Sequence, residues 1–173
     1  MEPNVEARRV EDVESAFDVF WRDERDRLAR AVAMSIGDVA LATDAVDEAM
    51  ARAYQRWAHV GSLDYPGGWV YRVAVNWTHQ IHRRRRRTPP TWLASPSAID
   101  DDYGIDPAID AAMAALPPAQ RSVVVCRLLL GWSEAQTAEA LSIPPGTVKS
   151  RLSRALEELA HTLDHLDPKE TAR

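Results

Sequence analysis

The segment from Ser133 to Leu159 constrains the fold more than any other part of the chain. Ser133 and Gln136 have the spacing of a capping box, which begins a helix. The corner that follows, Ser-Ile-Pro-Pro-Gly at 142–146, ends that helix and starts another, because proline is tolerated only in a first turn or outside a helix. The second helix has apolar residues at the steps of a buried face: Val148, Leu152, Leu156 and Leu159.

The opposite face of this second helix is polar and basic. Its side chains are donors for phosphates and base edges: Thr147, Lys149, Ser150, Arg151 and Arg154. This is the layout of a DNA-binding helix-turn-helix, whose second helix enters the major groove. An ordinary helical hairpin with a solvated basic face is the alternative interpretation.

The rest of the chain also has helical periodicity, with no regular alternation of apolar and polar residues. We therefore predict an all-α fold. Residues 1 to about 12 lack periodicity and are expected to form a loose arm. Further helices are predicted over residues 13–36, 38–59, 68–84, 108–116 and 117–130. Gly37 is expected to cap the first of these, and Trp69 and Trp77 are assigned to the core.

The segment 88–107 is rich in proline, serine and aspartate and is predicted to be a flexible linker. It separates two small helical domains, residues 1–87 and residues 108–173. The chain has no apolar run of about 18 residues and no secretion-signal pattern. Its single cysteine, Cys126, lies in an apolar run and fits a core position in a reducing, cytoplasmic environment.

Charge is distributed unevenly along the chain. The formal net charge of −5 argues against nucleic acid, but arginine occupies every position from Arg83 to Arg87. Adjacent like charges repel unless an anion neutralises them, and a phosphate backbone does so with release of counterions. A targeting signal or a solvated tail is the alternative. The net negative charge of the chain repels DNA, whereas its clusters of basic residues attract DNA locally. We therefore predict that the isolated protein binds DNA weakly and needs a partner to hold it at the duplex.

Three segments together resemble a known family. They read DAVDEAMARAYQRW at 44–57, GGWVYRVAVNWTHQIHRRRRR at 67–87 and LPPAQRSVVVCRLLLGWSEAQTAEALSIPPGTVKSRLSRAL at 116–156. In this order they resemble the extracytoplasmic-function (ECF) group of bacterial RNA polymerase sigma factors, which have only the second and fourth conserved sigma regions. The resemblance implies region 2 in residues 1–87 and region 4 in residues 108–173. It also implies promoter-specific transcription initiation, with no enzymatic activity and no cofactor.

Core RNA polymerase is the first partner that the resemblance implies, through the clamp helices of its β′ subunit and through its β flap. The helix at 41–57 would bind the clamp with Asp44, Asp47, Glu48 and Arg52. Opposite charges steer such docking, so it should weaken with salt. Asp47 stands where the family usually has glutamine, so the contact there is expected to differ in strength or detail.

Promoter DNA is the second implied partner. The loop at 61–68 and the following helix match the part that captures bases of the opened −10 element. The candidate contacts are Tyr65, Arg72, Asn76, His79, Gln80, Arg83, Arg84, Arg86 and Arg87. The basic face of the helix-turn-helix would read the −35 element. Ser142 stands where the corner often has glycine, and it costs stability if it adopts a positive φ. The family also allows an anti-sigma protein as a partner.

Other protein classes explain part of the sequence. A helix-turn-helix regulator that acts without polymerase leaves the acidic helix and the arginine-ended helix unexplained. A decoy for an anti-sigma protein has no need of Lys149, Arg151 and Arg154. An enzyme is disfavoured, because the sequence has no glycine-rich phosphate loop and no nucleophile with a base. His161 and His165 have the spacing of a metal pair, but histidines near a helix end more commonly interact with the helix dipole.

Overall fold

The structure, a computed structural model, describes the backbone of residues 5–87 and 106–166 and the side chains of residues 14–84 and 106–164. These ranges contain helices and no strand, which confirms the all-α prediction. The helices are α1 (Val5–Ile36), α2 (Val39–Gln55), α3 (Trp57–Val60), α4 (Pro66–Arg87), α5 (Pro107–Ala115), α6 (Pro118–Val124), α7 (Glu134–Leu141) and α8 (Pro145–Leu166). None of these helices combines the length and the apolar character needed to cross a membrane. Most of the predicted linker lies outside the described residues.

The amino-terminal half is a bundle in which α1, α2 and α4 pack against one another. Each of the three contributes side chains that are fully buried: Leu28, Val32, Val46, Met50, Val70 and Tyr71. Burial of one such aliphatic side chain stabilises the fold by about 1.5–3 kcal/mol. Trp69 and Trp77 are partly buried and pack against the same core, as predicted.

The first two helices differ from their predicted bounds. Residues 5–12 are helical, so the predicted loose arm is wrong there. That segment lacks an apolar stripe, but half of it is Arg and Glu, which favour a helix once the neighbouring turns are packed. Gly37, at φ 74°, donates its N–H to the Ala33 carbonyl and ends α1 as predicted.

The predicted helix over 38–59 is interrupted, which is a second correction. Arg56 has φ −122° and ψ 22°, and this irregular residue separates α2 from the single turn α3. The break allows Trp57 to enter the core, where its ring lies edge-on to Phe17 with 5.1 Å between the centroids. A Cβ on Gly61 would lie 2.9 Å from the Trp57 ring, so only glycine fits beside that ring.

The carboxyl-terminal half contains a π-helical turn that the sequence did not predict. Residues Val125–Leu129 continue α6 without a break, so the helix predicted over 117–130 is present, but its last part has the wider hydrogen-bond spacing. The Leu130 N–H bonds to the Val125 carbonyl at 3.0 Å, and the Trp132 N–H bonds to the Cys126 carbonyl at 3.0 Å. As a result Cys126 and Leu130 both point inward, while Leu128 is exposed.

The buried face of α8 differs from the predicted one at a single position. Val148 and Ala155 are fully buried, and Leu152 and Leu159 are partly buried against the core. Leu156 is 43% exposed, so its assignment to the buried face was wrong. Successive residues of the buried face are four, three and four positions apart. The third buried position is therefore 155, which is alanine, and not 156.

Candidate nucleic-acid and polymerase-binding surfaces

The helix-turn-helix is formed by α7 and α8, and local hydrogen bonds determine where each begins and ends. The Ser133 hydroxyl accepts the Gln136 N–H at 3.1 Å, and the Gln136 side chain accepts the Ser133 N–H at 2.8 Å, which confirms the capping box. Ser142 ends α7 in the left-handed region with φ 54° and ψ 46°. The position therefore has the conformation that favours glycine, as its place in the corner suggested.

The polar face of α8 is open along most of its length. Lys149, Ser150 and Arg154 are exposed, whereas Thr147 and Arg151 are half-buried. Within the described part of the chain, none of the three basic side chains on this face has a hydrogen-bond or ion-pair partner. A small core of Val123, Ala138 and Val148 holds α8 against α6 and α7 from the other side. The basic face is thus presented by a rigid support and is free to bind an anion.

The candidate −10 residues lie along α4 and the loop before it. Arg72 and Tyr65 are half-buried, and the remaining described members are exposed: Asn76, His79, Gln80, Arg83 and Arg84. The side chains of Arg86 and Arg87 lie outside the described residues. The exposed members form a polar strip that ends in the arginine run, as expected for a surface that follows a phosphate backbone.

One crevice joins the two candidate DNA-binding surfaces, which the sequence did not predict. It has a volume of about 210 Å³ and lies between α4 and the carboxyl-terminal helices. Arg72, Asn76 and His79 line one side, and Arg151 and Ser142 line the other. Side chains assigned to the −10 and −35 elements therefore face the same space in this structure.

Tyr65 is covered by Trp132, a residue with no role predicted from the sequence. Its ring lies edge-on to Trp132, with 4.9 Å between the centroids. Burial, and secondarily the charge of Glu24, raises the pKa of Tyr65 above its ordinary value. Trp132 is 2% exposed and also lies edge-on to Tyr71 at 5.4 Å. The only signal for Trp132 was an aromatic residue next to a glycine, which carries no information about its distant partner.

The acidic face of α2 contains both free and paired carboxylates. Asp44 is exposed, and it has no hydrogen-bond or ion-pair partner among the described residues. Asp47 instead accepts two hydrogen bonds from Arg25 of α1, each at 2.8 Å, and these bonds raise the pKa of Arg25. Glu48 pairs with Arg52 one turn later, also at 2.8 Å. Of the predicted clamp contacts, Asp44 therefore has the most accessible charge.

Comparison with known proteins gives a consistent assignment. Residues 107–159 match the family described as Sigma-70, region 4, which corresponds to α5 through most of α8. The RNA polymerase sigma-E factor of Streptomyces avermitilis is 32% identical over 155 residues, which are 87% of this chain and 87% of the relative. The ECF RNA polymerase sigma factor SigM of Mycobacterium tuberculosis is 32% identical over 158 residues, which are 88% of this chain and 79% of the relative.

The fold agrees with this assignment. It is similar to that of the sigma factor RpoE from Bartonella quintana, solved in complex with the anti-sigma factor NepR, with a TM-score of 0.69 and 22% identity. The match covers 86% of this chain and 96% of that one. From the helix-turn-helix, the open basic face and these relatives together, we conclude that the chain belongs to the ECF group of RNA polymerase sigma factors.

Proposed function

We propose that this protein binds core RNA polymerase and directs transcription initiation at promoters by recognising −35 and −10 elements. The observation that carries the proposal is the open basic face of α8, held on a capped helix-turn-helix in a chain whose relatives are sigma factors. Its role is to select the start site, and we propose that it performs no chemistry itself. It would act in the cytoplasm, and an anti-sigma factor is a further proposed partner.

The −35 element is assigned to α8. Lys149, Arg151 and Arg154 would contact phosphates or guanine edges, and Thr147 and Ser150 would contact the backbone or bases. A bidentate contact from arginine to a guanine contributes about 1–3 kcal/mol of discrimination against the wrong base. Loss of two such side chains is therefore enough to abolish selection of this element.

The −10 element is assigned to the strip that begins at Tyr65 and follows α4. Opening the duplex costs a few kcal/mol per base, and stacking of a freed base on an aromatic ring returns roughly 1–3 kcal/mol. The free energy gained when this strip captures bases is therefore smaller than the cost of opening the promoter. Contacts made by the polymerase must supply the remainder.

The polymerase clamp is assigned to the acidic face of α2. Asp44 and Glu48 would meet basic groups of the β′ subunit, and Arg52 would add a contact of opposite sign. Since Arg25 already neutralises Asp47, we propose that Asp47 contributes less to docking than its neighbours do. The β flap is proposed as the site for the carboxyl-terminal half.

Run-off transcription with purified core polymerase tests the proposal. Replacing Arg151 and Arg154 with alanine should abolish transcription that depends on the −35 element and leave core binding unchanged. Arg22→Ala, an exposed arginine on α1, is the matched control and should be as active as the unmodified protein. If the double variant lost core binding to the same extent, the assignment of α8 to DNA would be wrong.

A further inference from the structure

The crevice between α4 and the carboxyl-terminal helices has an arginine on each side. Arg72 of α4 lies on one wall and Arg151 of α8 lies on the other. The other polar residues of the lining carry N–H or O–H donors: Asn76, His79, Ser122 and Ser142. None of the described residues that line the crevice is acidic. A space with donors on both walls and no carboxylate among these residues is suited to bind an anion.

The two crevice arginines differ from the other arginines of similar burial. Five arginines in the described part of the chain are half-buried. Three of these donate to a carboxylate or a carbonyl: Arg25, Arg121 and Arg127. Arg72 and Arg151 have no hydrogen-bond or ion-pair partner among the described residues. A partly desolvated guanidinium with five N–H donors is costly to leave unpaired, so an anion between these two side chains would stabilise both.

The remaining lining residues make part of the crevice apolar. Tyr71 is fully buried, Ala140 is buried, and Val75 and Leu141 are partly buried. Apolar walls exclude some water from the space, and an interaction between charges strengthens as water is excluded. The crevice volume of about 210 Å³ is below the roughly 300 Å³ at which pockets for drug-sized ligands begin. The space therefore suits one or two phosphate groups of a small molecule rather than a nucleic-acid strand.

We propose that this crevice is a binding site for a small phosphorylated metabolite, whose phosphate groups bridge Arg72 and Arg151. Arginine pairs with phosphate through two parallel N–H···O bonds, so guanidiniums on opposite walls hold a phosphate or diphosphate group from both sides. Asn76 and Ser142 donate further hydrogen bonds to its oxygens. The apolar wall beside Tyr71 contacts the carbon part of the metabolite.

The metabolite would compete with promoter DNA. Arg72 is assigned to the −10 element and Arg151 to the −35 element, so a phosphate group bound to both removes one contact from each. Binding of the metabolite does not depend on the proposed function, whereas its effect on DNA binding rests on that function. The site and the competition are therefore tested separately.

Calorimetric titration of the isolated chain with pyrophosphate tests the site. Pyrophosphate is a diphosphate group without a carbon part, and it is added at constant ionic strength without divalent cations, because salt screens contacts between charges. We expect one site per chain. Arg72→Ala and Arg151→Ala should each weaken binding at least about tenfold, which corresponds to about 1.4 kcal/mol. Circular dichroism checks that each variant retains its helices.

Two arginines on the same helices, outside the crevice, provide matched controls. Arg83→Ala on α4 and Arg154→Ala on α8 remove the same charge from exposed positions. Each should change the Kd for pyrophosphate less than about twofold, because exposed charges contribute little to a distant site. If they weakened binding as much as the crevice variants do, the anion would be held by the basic surfaces in general, and the inference would be wrong. A Kd above about 1 mM for the unmodified chain would also overturn it.

A second pair of variants tests the site without removing an arginine. Asn76→Asp keeps the shape of the side chain and places a carboxylate in the crevice, one helical turn from Arg72. It should weaken pyrophosphate binding at least about fivefold, because the new charge repels the anion and neutralises the arginine. Gln80→Glu makes the same change one turn later on α4, outside the crevice, and should have little effect. Equal Kd values for Asn76→Asp and the unmodified chain would contradict the proposed site.

Competition is measured with a labelled −35 duplex and the isolated chain at low salt. Saturating pyrophosphate should weaken duplex binding at least about threefold at constant ionic strength, and this effect should be smaller for Asn76→Asp. If pyrophosphate occupies the crevice and duplex binding is unchanged, the competition is overturned and the site is retained. If the unmodified chain with core polymerase started transcription at no promoter, the proposed function would fail, while the pyrophosphate titrations would still decide the site.

Discussion

Two aspartates on α2, Asp44 and Asp47, lie three residues apart but have different surroundings. Asp47 is paired with Arg25 through two parallel hydrogen bonds of 2.8 Å, whereas Asp44 is exposed with no partner among the described residues. Replacing each by asparagine keeps the shape of the side chain and removes its charge. Comparing the two variants therefore tests whether the Asp47 carboxylate stabilises the fold while the Asp44 carboxylate is available to polymerase.

The size of the stability effect follows from the exposure of the pair. A charge-assisted hydrogen bond contributes about 1.5–3 kcal/mol when it is well buried. The Arg25 and Asp47 side chains are 27% and 43% exposed, so solvent screening reduces the value toward the roughly 1 kcal/mol of a good surface pair. Asp47→Asn should therefore lower Tm by roughly 2–4 °C in a chain of this length. Asp44→Asn should change the free energy of unfolding by less than about 0.5 kcal/mol.

Binding to core polymerase should show the opposite pattern. Loss of one docking charge at the edge of an interface costs about 1 kcal/mol, so Asp44→Asn should weaken core binding roughly fivefold. Asp47→Asn should change it less than twofold. The assays are thermal unfolding followed by circular dichroism and titration of labelled protein with core polymerase. If Asp47→Asn weakened core binding as much as Asp44→Asn and left Tm unchanged, the division of roles between the two residues would be refuted.

Three further predictions follow from single features of the structure. Ser142→Gly should raise Tm by about 1–3 °C. A non-glycine residue in the left-handed region costs about 1–2 kcal/mol, and removing this cost outweighs the entropy that glycine adds to the unfolded chain. Ser142→Val should lower Tm. Burial raises the pKa of the Cys126 thiol from 9.0 to about 12, so its stabilising effect is complete below pH 9 and is lost as the pH rises toward 12. Cys126→Ala should therefore flatten the fall in unfolding free energy measured between pH 8 and pH 10.5, and an unchanged slope would contradict this cause. The affinity for core polymerase should fall as salt increases from 50 to 200 mM, and it should fall less for Asp44→Asn than for the unmodified chain. The same salt dependence in both proteins would mean that Asp44 does not take part in docking.

Features decided by nearby residues were predictable from the sequence. The capping box at Ser133 and the positive φ at Ser142 follow from rules that involve at most a few neighbouring residues, and the structure has both. The all-α class and the basic face of α8 depend on periodicity within single segments. These features indicated a helix-turn-helix, whereas the family was indicated by the resemblance of the segments at 44–57, 67–87 and 116–156.

Features decided by distant residues were not predictable. The Arg25–Asp47 pair joins residues 22 positions apart, and no spacing rule connects α1 to α2 at that point. The contact of Trp132 with Tyr65 spans the predicted linker, so a single sequence could not reveal it. The break at Arg56 depends on how well Trp57 fits against Phe17, and periodicity carries no information about that fit. Which of the candidate residues touch DNA or polymerase remains a prediction.

Promoter binding with and without polymerase tests most directly whether this chain becomes selective for DNA only as part of a larger complex. A labelled duplex containing the cognate promoter is titrated at physiological salt with the chain alone, and then with the chain bound to core polymerase. We expect specific binding by the complex and, for the chain alone, binding no tighter than the roughly 10⁻⁴–10⁻⁶ M of non-specific association. Nanomolar, sequence-specific binding by the isolated chain would contradict this and would indicate an autonomous regulator.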